Sequence, residues 1–223
     1  MLPKKQNRMA TKIITIVGNI GSGKSTLLPV VTKALKAKML DADSLFQTTD
    51  PFRELYLRDL KRWAFANELW LTTQRASMLE KHVRKYQGKL TVIDSGLLMS
   101  WVYTYSHFVT KNITKAEWDL YQQLFKGLTK NSLEGSLVIF LDCSIKTLLQ
   151  RIKKRGRGYE LKFYTASYLR QIQKGLRALK QQFKKWNIRA VVVSEKAAGN
   201  FDQDKKDRQK IIKIIYKSYN NRK

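Results

Sequence analysis

Eight residues close to the amino terminus have the types and spacing for one particular chemistry. Gly18-Asn19-Ile20-Gly21-Ser22-Gly23-Lys24-Ser25 fits the pattern G-x-x-x-x-G-K-[ST], and Thr26 follows. Such a run binds phosphate for physical reasons. Its glycines let main-chain N–H groups approach phosphate oxygens with no Cβ in the way. A helix beginning inside the run adds the positive end of its dipole. Lys24 would reach the β- and γ-phosphates, and the Ser25 hydroxyl would coordinate Mg²⁺. The expected ligands are therefore Mg²⁺ and ATP, or another nucleoside triphosphate. A merely structural glycine turn is the weaker reading, because the run directly follows an apolar strand.

Such a loop specifies a nucleotide and not a reaction, so the remaining chemistry must come from elsewhere. A switch-type GTPase would carry D-x-x-G and N-K-x-D, and neither occurs. Asp41 and Asp43 flank Ala42 at the end of a second strand, where a carboxylate can take a hydroxyl proton during phosphoryl transfer. The alternative for either is a loop-capping aspartate. Asp94, in IDSG, ends a third strand and can hold Mg²⁺ directly or through water, or else cap a helix. Arg151 and Arg155 are four residues apart on one helix face, and Arg157 lies between Gly156 and Gly158. Arginines on a glycine-hinged lid, at about residues 151–162, can close over ATP and neutralise transition-state charge. A basic helix end that answers the helix dipole is the plainer alternative.

These groups need a scaffold, and the pattern supplies one. Apolar runs at 12–17, 37–42, 89–94, 136–142 and 188–194 predict five strands. Helical stretches are predicted from the loop through Leu35, from Pro51 to about Tyr86, and at 97–109, 114–130, 144–154, 165–186 and 203–219. Thr114 with Glu117 reads as a capping box. The Arg155–Glu160 stretch, RGRGYE, reads as a glycine-broken loop. Apolar strands alternating with helices indicate a parallel sheet covered on both faces. The carboxyl ends of its strands would line the ligand crevice. Residues 1–11 are a basic arm, and 12–223 read as a single domain.

Composition narrows the classes further. The 223 residues include 43% hydrophobic and 11% aromatic, enough for a packed core. The lone cysteine, Cys143, cannot form an internal disulfide or a thiolate zinc site, which suits a reducing, cytoplasmic setting. No secretory h-region or membrane-length apolar run is seen. His82 and His107 lack metal-ligand spacing and read as surface or boundary residues. The net charge is +27, and residues 151–223 carry 22 Lys/Arg against 5 acids. A nucleic-acid partner is possible on that charge, but 30 of the 44 cations are lysine, so a solvated basic face is favoured.

Taken together, GNIGSGKST, the segment DPFRELYLRDLKRWAFANELWLTTQR and RIKKRGRGYE make the chain resemble the deoxyribonucleoside kinase family over about residues 12–215. The resemblance implies an α/β, P-loop NTPase-type three-layer fold with a five-stranded parallel sheet. It also implies phosphoryl transfer from ATP to the 5′-hydroxyl of a nucleoside, with Mg²⁺, commonly in a homodimer built by helix packing. Carried over by position, Gly18 to Thr26 and the lid arginines Arg151, Arg155 and Arg157 hold ATP. Glu160 matches a glutamate on the sugar, Arg75 an arginine near the base, and Trp63 and Phe65 aromatics of the substrate helix. Departures cluster on the acceptor side. Asp41-Ala42-Asp43 replaces a family Glu-Pro, and Asp41 and Asp43 share the role of base. Glu68 stands for a base-reading glutamine, and Ser95 for an arginine. Leu57, with Tyr56 beside it, stands for a sugar-contacting tyrosine. A 5′-hydroxyl polynucleotide kinase, on the basic charge, and a non-catalytic nucleotide-binding relative, on the departures, are the competing expectations.

Overall fold

The run IITIVG forms a strand because its β-branched side chains suit a pleated backbone, and all six residues are buried. This strand, β1 (Ile13–Gly18), is the centre of a five-stranded parallel sheet of order β2-β3-β1-β4-β5. The other strands are β2 (Lys38–Asp41), β3 (Thr91–Asp94), β4 (Leu137–Asp142) and β5 (Arg189–Ser194). The structure is a computed structural model and describes residues 12–41, 50–130, 132–133, 135–199, 201 and 204–220.

Helices cover both faces, which is why the inner strands are apolar without alternation. Against one face lie α1 (Lys24–Ala34) and the closing helix α10 (Lys205–Asn220), which bury Leu27, Val31, Ile211 and Ile215 on Ile14, Ile16 and Ile139. Against the other lie α3 (Leu60–Lys85), α4 (Gly96–Val109), α5 (Lys115–Thr129) and α8 (Ala166–Gln182). There Trp101 is ringed by Tyr105, Trp118 and Trp186 at 5.1–5.7 Å between ring centres. Edge strands behave differently: β2 exposes Lys38 and Met39, and β5 alternates, because each is flanked on one side only.

Two helical expectations are corrected. The stretch from Pro51 to Tyr86 is not one helix but two, α2 (Arg53–Arg58) and α3, parted at Asp59. Asp59 is extended, and its carboxylate accepts from the Arg62 N–H at 3.0 Å, so it caps α3 within a stretch whose helical periodicity runs on across it. The stretch RGRGYE is only partly loop. Gly156, left-handed at φ 69°, ends α6 (Ile145–Arg155), and α7 (Gly158–Phe163) starts two residues later. The Thr114–Glu117 capping box forms as expected. A single turn, α9 (Glu195–Ala198), follows β5.

Candidate functional site

The Gly18–Ser25 loop joins the end of the central strand to the first turn of α1. Gly21 and Gly23 adopt φ 79° and 96°, conformations that favour glycine. A Cβ on Gly18 would stand 2.6 Å from the Ser22 hydroxyl, and one on Gly23 would stand 2.8 Å from Cζ of Phe201. The loop is held from three directions. Lys24 Nζ folds back and donates to the carbonyls of Gly18 and Asn19 at 3.1 and 3.2 Å. Asn19 accepts from the Ile20 N–H through Oδ1 and donates through Nδ2 to the Leu169 carbonyl, both at 2.8 Å, tying the loop to α8. Arg151 donates to the Ser22 carbonyl at 3.2 Å. Thr26 is exposed on the first turn of α1.

Beside the loop, the Ser25 hydroxyl donates to Asp94 Oδ2 at 2.8 Å, while the Ser95 hydroxyl donates to Oδ1 at 2.9 Å. Asp94 does not cap α4: the residue at that position is Ser95, and it makes no capping bond. A hydroxyl and a carboxylate brought together from 69 residues apart are oxygen donors suited to a hard cation such as Mg²⁺. Asp41 is the register partner of Asp94 on the neighbouring strand, so both carboxyl-bearing strand ends reach the same rim of the sheet. Asp43 lies outside the described residues.

The lid residues converge on one carboxylate. Arg155 Nε and Nη2 reach Glu160 Oε2 at 2.7 and 2.6 Å, and Arg157 Nη1 reaches Oε1 at 3.4 Å. Glu160 is only 3% exposed, so α7 presents it as the post on which both arginines rest.

A buried polar cluster lies on the other side of the sheet's rim. Glu68 of α3 is 4% exposed, and its Oε2 has no hydrogen-bond partner. His107 of α4 stands 3.9 Å from Glu68 Oε1, and the Tyr56 hydroxyl is 3.0 Å from His107 Nε2. The Asn112 amide nitrogen, 3.3 Å from Nδ1, makes that ring nitrogen the acceptor and leaves the imidazole proton on Nε2. Arg75 donates to the Ser100 hydroxyl at 2.7 Å. Burial dominates the titration of the group. It pushes Glu68 up to about 8 against the opposing charge of Arg75, and pushes His107 down to about 4. Burial also raises Tyr56, Tyr121 and Tyr168 above the usual phenol range. Trp63 packs instead on Phe52, 6.0 Å away, and beneath the guanidinium of Arg62, at the start of α3.

The expectation that His107 is a surface or boundary residue is corrected. It sits in GLLMSWVYTYSHFV, a stretch with no Asp, Glu, Lys or Arg, and a helix apolar all round is a buried one. That absence was the available signal. Nothing local could have announced Glu195, at the start of α9. It accepts from the Ser144 N–H at 2.9 Å and from the Thr147 hydroxyl, across a gap of about fifty residues. The Thr147 bond leads in holding the Glu195 carboxyl below its usual range.

The chain as a whole is similar to known proteins. The family model described as deoxynucleoside kinase matches residues 14–219. Deoxyguanosine kinase of Bacillus subtilis is 27% identical over 162 residues, covering 71% of this chain and 73% of that protein. Deoxyguanosine kinase of Lactobacillus johnsonii is 25% identical over 215 residues, covering 91% and 90%. The structure of deoxyadenosine kinase from M. mycoides with bound dATP superposes with a TM-score of 0.70 at 25% identity, covering 93% of this chain and 99% of that one.

Proposed function

Since the chain belongs to the deoxynucleoside kinase family, enzymes that phosphorylate a nucleoside to its monophosphate with a nucleoside triphosphate as donor, we propose how its own residues divide that work. The Gly18–Thr26 loop grips the triphosphate of ATP through main-chain N–H groups. Lys24 leaves its two carbonyl partners for the β- and γ-phosphates. Arg151, Arg155 and Arg157 neutralise the charge that spreads over the departing phosphoryl group. Asp41 or Asp43 takes the proton of the nucleoside 5′-hydroxyl as its oxygen bonds to the γ-phosphorus and the bond to the bridging oxygen breaks, releasing the nucleoside diphosphate. Ser25 and Asp94 would hold Mg²⁺, which when bound offsets phosphate charge.

On the acceptor side, Tyr56, Glu68 and Arg75 face the nucleoside, Trp63 borders it, and Glu160 meets the sugar once the lid closes. The domain spans residues 12–223. Exposed Leu120 and Leu128 on α5 support a homodimer built by helix packing. The lone cysteine, Cys143, free and buried, supports a cytoplasmic setting. Among the described residues no helix is long and apolar enough to cross a membrane.

The observation that carries this reading is the bond from the Ser25 hydroxyl to Asp94 directly beside the glycine loop, which supports a triphosphate–cation site over a bare turn. The test is one panel: ATP and Mg²⁺ with each deoxynucleoside, each ribonucleoside and a 5′-hydroxyl oligonucleotide, scored for labelled product. Deoxynucleoside monophosphate is expected, and Lys24→Ala is expected to slow its formation about 10²–10³-fold. Turnover of Lys24→Ala near the wild-type rate would overturn the assignment.

A further inference from the structure

Glu68 is the one acid on α3 buried in its interior, and the family-type role of a neutral amide at this place does not describe it. A carboxyl group has two hydrogen-bonding identities. Protonated, it offers one O–H donor and one carbonyl acceptor side by side. Ionised, it offers two acceptors. The Watson–Crick edges of nucleobases divide along the same line. Adenine and cytosine each present an exocyclic amine that donates, next to a ring nitrogen that accepts. Guanine presents two adjacent donors, its ring N–H and its exocyclic amine.

With Glu68 at the base, as in the function proposed above, we propose that its own proton selects the nucleoside: as the acid it takes deoxyadenosine or deoxycytidine, and as the carboxylate it takes deoxyguanosine. The inference rests on the reading above that the Tyr56–Glu68 cluster faces the nucleoside.

Three observations support it. First, Glu68 Oε2 is buried and has no partner, so a polar group of a ligand has a place to satisfy it. Second, among the described residues no cation is bonded to the carboxylate. The nearest ring nitrogen, His107 Nε2, is 3.9 Å away, beyond hydrogen-bond reach, and is already engaged with the Tyr56 hydroxyl. Third, the site is tied to the donor loop. Glu68 helps raise Tyr168 of α8, after burial and Tyr164, and Leu169 beside Tyr168 carries the carbonyl that holds Asn19.

The groups that face Glu68 leave it the titrating member near neutrality. Arg75, on its own helix, stays cationic. Tyr56 from α2, Tyr121 from α5 and Tyr168 from α8 are all raised above the phenol range, with Tyr164 beside Tyr168. His107 from α4 is neutral, pushed down to about 4. Asp50, ahead of α2, is raised by burial and bears on Glu68 as a second acid. Glu68 itself lies at about 8, within reach of ordinary buffers.

The experiment measures kcat/KM for deoxyguanosine and deoxyadenosine on the full chain from about pH 6.5 to 8.5, and reports their ratio. Both constants refer to the same free enzyme, so pH effects on the base or on ATP cancel. A single selecting proton makes the deoxyguanosine-to-deoxyadenosine ratio rise by up to about tenfold per pH unit, or about 100-fold across the range. Glu68→Gln, which keeps one donor and one acceptor, is expected to abolish that slope, an effect that lost packing cannot mimic. Nucleoside binding by calorimetry at both pH limits is measured alongside. Turnover with a ratio flat within about threefold overturns the proposal and leaves the kinase assignment standing, as does a slope that survives in Glu68→Gln. Binding whose preference shifts with pH, without turnover, supports the proposal and overturns the catalytic assignment. Absence of both binding and turnover overturns both.

Discussion

Replacing Gly23 by alanine tests whether the glycine loop is shaped by sterics. Gly23 holds φ 96° and ψ 18°, where an L-residue is disfavoured by roughly 1–2 kcal/mol. The added methyl would also meet Cζ of Phe201 at 2.8 Å. Phe201 is 2% exposed and packed among Leu27, Val31 and Ile211, so its ring has little room to turn away. Overpacking of this kind costs about 1–3 kcal/mol. The two effects together give a loss of about 3 kcal/mol. They separate in a double-mutant cycle with Phe201→Leu, which removes the ring but not the backbone strain. In that background Gly23→Ala should cost only the strain, about 1–2 kcal/mol. Urea unfolding of the four proteins without nucleotide supplies all the numbers. A Gly23→Ala cost below about 1 kcal/mol, or the same cost with and without Phe201, would refute the steric account.

Asp94→Asn keeps the shape of the Ser25 partner but removes its charge. It should raise the Mg²⁺ concentration for half-maximal rate by about 10–100-fold, and an unmoved Mg²⁺ titration would sink the assignment of Asp94. Stability should also depend on pH through two opposing contributions whose windows overlap. His107 sits near 4 in the fold against an ordinary 6.5, so the unfolded chain takes up the proton first and stability falls as pH drops through that window. Glu68 sits near 8 against an ordinary 4.5, so its contribution is complete below 4.5 and is lost as pH rises towards 8. Against wild type, the urea midpoint of His107→Gln should lose the contribution that rises with pH between about 4 and 6.5, and that of Glu68→Gln the contribution that falls with pH between about 4.5 and 8. Retention of either slope would reassign that residue's protonation.

The conformation of the glycine loop was legible because its determinants are local. Gly18, Gly21, Gly23, Lys24 and Ser25 fall within one run of eight residues, and the shape of that loop is the one they dictate. The strands were legible because helices on both faces demand apolar runs. Less legible were features set by distant contacts. That Ser25 meets Asp94 follows from β1 and β3 lying side by side, which strand order decides and spacing does not. That Arg155 and Arg157 both rest on Glu160 depends on α7 being a helix, hidden behind two glycines. The identity of Glu68 was plain in the chain, but its ionisation was not, because that depends on the neighbours burying it.

Glu195 has a mechanical meaning. By bracing Ser144 and Thr147 it bolts the root of α6 to the end of β5, and Arg155 is the last residue of that same stiff rod. A rod fixed at its base has no swing. Any travel must be taken up at Gly156 and Gly158, around which space is open. The two arginines therefore differ in anchorage: Arg155 ends the braced helix, and Arg157 stands between the two glycines of the joint.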